Sequence, residues 1–444
     1  MLSRKRVRTL PADDDSCGWS SPLPPPPPAT PLDGDRRVDC AVIGAGYTGL
    51  AIARRLAELR PEWRVTILEA QRVADGTSGR ASGFVVDLTD VAVRMDPESR
   101  ARYVNLARSG IEELRRLVEE HGIDCAWDET GWIRGAAGAA GERALNPLPA
   151  IYDELGMEYR HLDAERMAAI TGTRFYRRGI HLLGYPLVQT AALVRGLSRV
   201  LPESVELCEE SPVLEIERGA PLRLAVRGKG GRRHTVTADR VFLATNGYTP
   251  ALGFLSRRVF PLYTFGSMTR VLEEQDRELL GGEREWGILA MDPMGSSVRR
   301  TRDQRILIRN TAHYAKDLRI GAGLKARMRE NHRQAFLARF PQLAHVEFEY
   351  TWSGLMGTSH NNQIHFGQLG RGLFATAGFT GAGIAMGTTA GRLLADLAAG
   401  VSSEPLSHIR RLPNPTWMPP EPFRSIGGRW LTARMNAKAE EATL

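Results

Sequence analysis

Gly44-Ala45-Gly46-Tyr47-Thr48-Gly49 spells G-x-G-x-x-G, and Glu69 follows the third glycine by 20 residues. In such a turn the first glycine permits a tight reversal and the second admits a pyrophosphate against the backbone. The third lets a helix lie close to a strand. The N-terminus of that helix, opening at Tyr47 and Thr48, presents free N–H groups and a positive dipole end to phosphate. A carboxylate at position 69 accepts hydrogen bonds from a ribose 2′-hydroxyl and repels a 2′-phosphate. The pattern predicts an adenine dinucleotide, leaves NAD and FAD open, and disfavours NADP.

The turn needs a strand before it and a helix after it. Val38-Asp39-Cys40-Ala41-Val42-Ile43 is a short apolar run suited to a strand buried on both faces. Residues 47–60 place Leu50, Ala53 and Ala57 on one helical face, and Pro61 ends the helix. A second buried strand over 64–69 closes a β-α-β unit. The arrangement returns near the other end of the chain, with a strand over 372–377, the turn Gly378-Phe379-Thr380-Gly381-Ala382-Gly383 and a helix over 384–399. Between them the pattern predicts helices over 111–121, 191–200 and 325–340. Strands are expected over 222–226 and 234–236 about a glycine turn, and over 241–245. Residues 267–287 and 305–309 look strand-like, and 131–145 irregular.

Composition is that of a water-soluble chain, with 42% hydrophobic and 25% charged residues and a mean hydropathy of −0.27. It excludes a disordered, collagen-like or polytopic membrane protein. The net charge of +8 comes from 59 basic and 51 acidic residues, with a cluster at Arg4-Lys5-Arg6 and no basic stripe, so nucleic acid is not an expected partner. Cys17, Cys40, Cys125 and Cys208 are widely separated and form no C-x-x-C pair, so neither a zinc ribbon nor a dithiol redox motif is expected. No apolar run approaches the length of a membrane span, and the expected location is cytoplasmic. Pro24 to Pro28 form a five-proline run, expected to lie extended over the domain surface.

Taken together, the first turn, Leu243-Ala244-Thr245-Asn246-Gly247-Tyr248-Thr249-Pro250 and residues 372–397 resemble the D-amino-acid-oxidase-like family of FAD oxidoreductases. Pro31-Leu32-Asp33-Gly34-Asp35, Gly76-Thr77-Ser78-Gly79-Arg80-Ala81-Ser82-Gly83-Phe84 and Pro419-Pro420-Glu421-Pro422-Phe423-Arg424 are similar to its γ-glutamylputrescine oxidase branch. The resemblance implies an α/β fold (α+β overall), in which a Rossmann-like FAD-binding domain is built from discontinuous segments. An interleaved substrate domain would contain an antiparallel sheet. The implied boundaries are 37–95, 190–255 and 350–405 for the FAD domain, and 96–189 and 256–349 for the substrate domain. A proline-rich extension (1–36) and a C-terminal extension (406–444) would flank them.

The activity implied is oxidation of a C–N bond in a small amine or amino acid. Hydride would pass to flavin N5, giving an imine, and O2 would reoxidise the flavin to give H2O2. Beyond Gly44, Gly46, Tyr47, Thr48, Gly49 and Glu69, the resemblance assigns the cofactor Ser78, Gly79 and Arg80 at one turn and Val213 at adenine. It adds Thr245 and Asn246 at a strand end, and Gly378, Thr380, Gly381, Gly383 and Ile384 beside the flavin.

Departures from the family pattern narrow this. No cysteine follows Cys208 and no histidine stands near 76–84, so the FAD is expected to be non-covalent. Ala385 replaces a lysine that grips substrate carboxylates in relatives, and Ala382 replaces a histidine; either an amine, or an amino acid held by another arginine, becomes the expected substrate. Asn361 and Asn362 stand where relatives carry an aspartate.

His360 and His313 are the candidate titrating groups. Trp352, with Tyr263, Phe265 and Trp286, would form an aromatic wall for a cationic amine. Arg299 and Arg300 are candidate cations for oxygen activation. The competing readings are a dehydrogenase or tailoring flavoenzyme of the same fold with another electron acceptor, and a non-catalytic flavin-binding subunit.

Overall fold

In the computed structural model the chain is described over residues 4–12, 16–291, 295–314 and 316–441. The outermost residues of both expected extensions, 1–3 and 442–444, and residues 13–15 lie outside the described residues. Two sheets organise the molecule. The first contains β1 (Arg4–Arg6), β2 (Arg36–Ile43), β3 (Val65–Leu68), β7 (Val205–Cys208), β8 (Val213–Glu217), β9 (Leu222–Arg227), β10 (Arg233–Leu243), β16 (His365–Gly370) and β17 (Leu373–Ala377). Its centre is parallel, in the order β17-β10-β2-β3-β7. The second contains β4 (Trp132–Ala136), β5 (Tyr159–Leu162), β6 (Arg178–Leu182), β11 (Phe260–Thr269), β12 (Trp286–Ala290), β13 (Ser297–Arg300), β14 (Ile306–Tyr314) and β15 (Phe348–Thr358). It is antiparallel apart from the β12–β4 pair. The fold is mixed α/β, as expected.

Alternation along β2 explains why the run from 38 to 43 is apolar throughout. Cys40 and Val42 face the helices on one side, while Ala41 and Ile43 enter a second core with Val213, Leu224 and Val241. The helix Tyr47–Leu59 buries Leu50, Ile52, Ala53 and Leu56 and crosses the helix Ala385–Ala399. A Cβ at Gly391 would come within 2.5 Å of the Thr48 carbonyl oxygen, so glycine sets how closely those two helices approach. The helix Pro97–His121, capped by Asp96 and ended by left-handed Gly122, covers the same layer and begins well before the expected 111.

Several local expectations give way to tertiary context. Residues 131–145 are ordered, not irregular: β4 is buried along its whole length between β6 and β12, and a helix follows over Ala139–Leu145. Sheet neighbours on both sides outweigh the Gly/Ala composition. The two strands expected over 234–236 and 241–245 are one strand, β10. Its polar middle is accommodated because Asp239 pairs with Arg37 at 2.7 Å and the Arg240 guanidinium lies 4.1 Å from the Trp63 ring centre. The strand-like stretch 267–287 is interrupted by the helix Glu274–Leu280.

The N-terminal extension does more than cover a surface, since β1 adds an edge strand to β8, and Cys17 and Trp19 are in the core. β15, which runs from residue 348 into the 350–405 stretch expected in the cofactor domain, pairs with β11 in the second sheet. No helix among the described residues is long and apolar enough to cross a membrane.

Candidate functional site

A continuous cavity of about 600 Å³ lies where the ends of the parallel strands meet the second sheet. Gly44, Gly46, Tyr47, Thr48, Glu69, Ser78, Arg80, Val213, Thr245 and Asn246 line it, as do Thr380, Gly381, Gly383 and Ile384. The two glycine turns, remote in sequence, thus open onto one space.

Gly49 and Gly79 support the wall from behind. A Cβ on Gly49 would fall 1.8 Å from the Gly44 carbonyl oxygen, and one on Gly79 would fall 2.1 Å from that of Ala74. Gly378 donates its N–H to Asn246 Oδ1 at 2.9 Å, which ties the end of β17 to the end of β10.

The residues present fit an anionic dinucleotide. Gly46 caps the first helix and Ile384 the late helix, and neither supplies a side-chain acceptor for the leading N–H groups. Tyr47 N–H reaches Ser78 Oγ at 3.4 Å and Met386 N–H donates to the Ala382 carbonyl at 3.0 Å, while both positive dipole ends open onto the cavity, where negative charge is favoured. Ser78 Oγ would lie 2.5 Å from a Cβ on Gly46, so a side chain there would force the serine hydroxyl to turn away. The Glu69 carboxylate accepts N–H groups from Ala45 at 2.7 Å and Gln71 at 3.0 Å. Burial raises its pKa, opposed by those backbone donors. Arg80 is 7% exposed, and its guanidinium donates to the carbonyls of Asp75 and Ser353.

On the second sheet the lining includes Phe265, Gly266, Leu289, Ala290, Ser297, Leu307, Arg309 and Trp352. Two of the four expected aromatics, Trp352 and Phe265, therefore reach the cavity. Trp286 packs against Phe340 in the core behind the sheet, and the Tyr263 hydroxyl donates to the Leu318 carbonyl at 3.1 Å.

The two histidines are not brought to the cavity. His360 is exposed beside Thr416, and half-buried His313 lies near Arg327 and Arg429, where burial lowers its pKa. Arg299 is 1% exposed and holds Glu285 at 3.1 Å and the Val188 carbonyl. Arg300 is held by Gln304 and two backbone carbonyls. Asn361 accepts the Thr416 N–H, away from the cavity, whereas Asn362 lines it.

Sequence reasoning missed Arg309, Asn362 as a wall residue, and Val7, Thr9, Leu10 and Pro11, which cover the cavity beside Val213. The alternation Ile306-Leu307-Ile308-Arg309 carried a signal for the first, an arginine at a position of a strand otherwise apolar. Asn362 was marked only by its departure from the family pattern, and nothing in the sequence pattern marked Val7, Thr9, Leu10 and Pro11.

The family described as FAD dependent oxidoreductase (DAO) matches residues 39–397. The chain belongs to that family. It is similar to the probable oxidoreductase OrdL of Rhizobium meliloti, with 29% identity over 423 residues, covering 92% of this chain and 94% of that protein. It is also similar to the gamma-glutamylputrescine oxidoreductase of Escherichia coli, at 28% over 382 residues, covering 82% and 84%. Among solved structures, the glycine oxidase from Geobacillus kaustophilus superimposes with a TM-score of 0.68 at 21% identity, covering 83% of this chain and 96% of that one. This FAD-dependent oxidoreductase shares that fold.

Proposed function

We propose that the chain is an oxidase of the C–N bond of a small amine or amino acid. The substrate carbon next to nitrogen would lose a hydride, and the resulting imine would be hydrolysed by water. FAD, when bound, would supply the two-electron acceptor for that hydride, with O2 as the final acceptor reduced to H2O2.

The observation that carries this reading is one cavity that joins two helix N-termini without a side-chain acceptor from their N-cap residues, and Glu69, to a second-sheet face where Phe265, Leu289, Leu307 and Trp352 are apolar. Gly46, Ser78 and the first helix would hold the pyrophosphate, Glu69 the ribose, and Val213 the adenine. The turn from Gly378 to Gly383 would border the flavin, and Ile384 opens the helix whose dipole favours negative charge there. Phe265, Leu289, Leu307 and Trp352 would orient the substrate and keep water from the reacting carbon. One similar protein, from Escherichia coli, is named as an oxidoreductase of gamma-glutamylputrescine, which supports this reading.

The proposal includes non-covalent attachment, because no cysteine or histidine is among the described residues lining the cavity. The test is an anaerobic screen of amines and amino acids for bleaching of the bound flavin, followed by admission of air and peroxide assay. Bleaching with stoichiometric peroxide supports the oxidase. Bleaching that O2 does not reverse replaces it with a dehydrogenase using another acceptor. Bound flavin that no amine or amino acid reduces overturns the reading.

A further inference from the structure

Arg309 is a cavity-lining cation that no protein carboxylate answers among the described residues. Along β14 the side chains alternate, with Ile306 and Ile308 in the apolar core behind the sheet and Leu307 and Arg309 on the cavity side. The register sets Arg309 opposite Ser297 of β13 on one side and Gly266 of β11 on the other. Gly266 in turn stands opposite Trp352 of β15. Ser297, Arg309, Gly266 and Trp352 therefore form one rung across four strands, and all four line the cavity.

The neighbours of Arg309 in that rung are serine and glycine, and neither offers it a countercharge. Gly266 also lets the Trp352 ring lean in, with Cζ2 at 3.2 Å from where a Cβ would stand. Just beyond, the β11–β14 ladder slips at Thr264/Phe265, and Thr311 has φ +58°. Such bulges re-aim the side chains beside them.

The cavity's other charges are engaged or lie at its mouth. Of its two carboxylates, Glu69 accepts backbone N–H groups and Asp90 pairs with Arg134 at 3.0 Å. Arg80 is bound to backbone carbonyls, Arg72 to the Pro27 carbonyl, and Arg94 is exposed. Arg309 is half-buried because it borders the cavity, yet protein surrounds it closely enough for desolvation alone to lower its pKa. Arginine nevertheless keeps its proton. A desolvated charge without a partner is destabilising, and its retention points to a countercharge brought by a ligand.

We propose that Arg309 receives the carboxylate of the substrate, so that the enzyme acts on amino acids or other carboxylate-bearing amines in preference to simple amines. The planar guanidinium offers two parallel N–H donors matched to a carboxylate. This inference rests on the oxidase reading above and deepens it.

The experiment compares wild type with Arg309→Met and Arg309→Lys, using propanoate and propylamine as probes. Binding is read from the visible flavin band of the holoenzyme and from the ligand-induced change in Tm of holo and flavin-free protein. Propanoate should perturb the wild-type band and raise Tm. Arg309→Met should weaken propanoate at least about tenfold, Arg309→Lys should retain an intermediate affinity, and propylamine should be indifferent to both.

Without ligand, Arg309→Met should be as stable as wild type or more so, since it removes an unanswered charge and keeps an apolar stem. Equal propanoate binding by wild type and Arg309→Met overturns the proposal. So does a ligand-free Tm several degrees lower in that variant, which would make Arg309 a structural residue. A flavin-bound wild type indifferent to propanoate also overturns it, with the FAD assignment intact. A wild type that binds no flavin overturns the preceding reading instead, and the Tm response of that protein to propanoate still decides the role of Arg309.

Discussion

The indole Nε1–H of Trp352 donates to the backbone carbonyl of Arg80 at 3.0 Å. This bond ties β15 of the second sheet to the helical turn Thr77–Arg80 that follows β3 of the first. Trp352 is 2% exposed and Arg80 7%, so the bond is sheltered from water. The aromatic residue expected to face substrate is therefore also a clamp between the two sheets at the cavity wall. Trp352→Phe keeps an aromatic ring and removes the donor, leaving a buried carbonyl without it. We expect a loss of about 1–3 kcal/mol in stability, measured by urea denaturation of the holoprotein. An unchanged midpoint would mean the clamp carries no weight.

On the proposed assignment, Glu69 should set cofactor affinity rather than chemistry. Its carboxylate is held by the Ala45 and Gln71 N–H groups and faces the cavity. Removing a charged hydrogen-bond acceptor of this kind costs about 1.5–3 kcal/mol. Glu69→Ala should therefore weaken FAD roughly tenfold to a hundredfold, as read by titrating the apoprotein with FAD. Glu69→Gln, which keeps one acceptor oxygen, should lose less.

How far the sequence disclosed this site depended on how local each feature is. Gly44 to Gly49 and Glu69 belong to one β-α-β unit, whose strand, turn and helix are written within a few dozen residues. Gly378 to Ile384 repeat that grammar. The apolar run before Arg309 hinted only at a buried arginine; its place in the site comes from neighbours on other strands, Ser297, Gly266 and Trp352. The same holds for Val7 to Pro11, which have no periodic pattern and take their place through β1 pairing with β8. The C-terminal extension likewise gave no sign that the helix Phe423–Glu441 docks on β14, where Asn436 exchanges two hydrogen bonds with the Ala312 backbone.

His332 makes stability depend on acid. It is fully buried, its Nδ1 lies 2.7 Å from Ser267 Oγ, and burial depresses its pKa to about 3. The unfolded chain, with an ordinary histidine, binds the extra proton between about pH 3 and 6.5. Stability therefore rises with pH across that window and falls on acidification, by up to about 1.4 kcal/mol per pH unit for one proton. His332→Gln should flatten the dependence of the urea midpoint between pH 7 and 5. An identical slope in the variant would contradict the assignment.

His360 and His313 should be dispensable for turnover. One is exposed beside Thr416, and neither lines the cavity. His360→Ala and His313→Ala should each leave kcat/KM within about twofold, the range of substitutions away from special features. A loss of a hundredfold in either variant would return that histidine to the chemistry.

The central claim is that the cavity beneath the two glycine turns holds a dissociable FAD. The measurement that tests it most directly is the visible absorption spectrum of the purified protein, before and after acid precipitation. The account predicts flavin bands in the native protein that pass to the supernatant and are identified there as FAD. Bands that stay with the precipitated protein, or a colourless protein that takes up no added FAD, would contradict it.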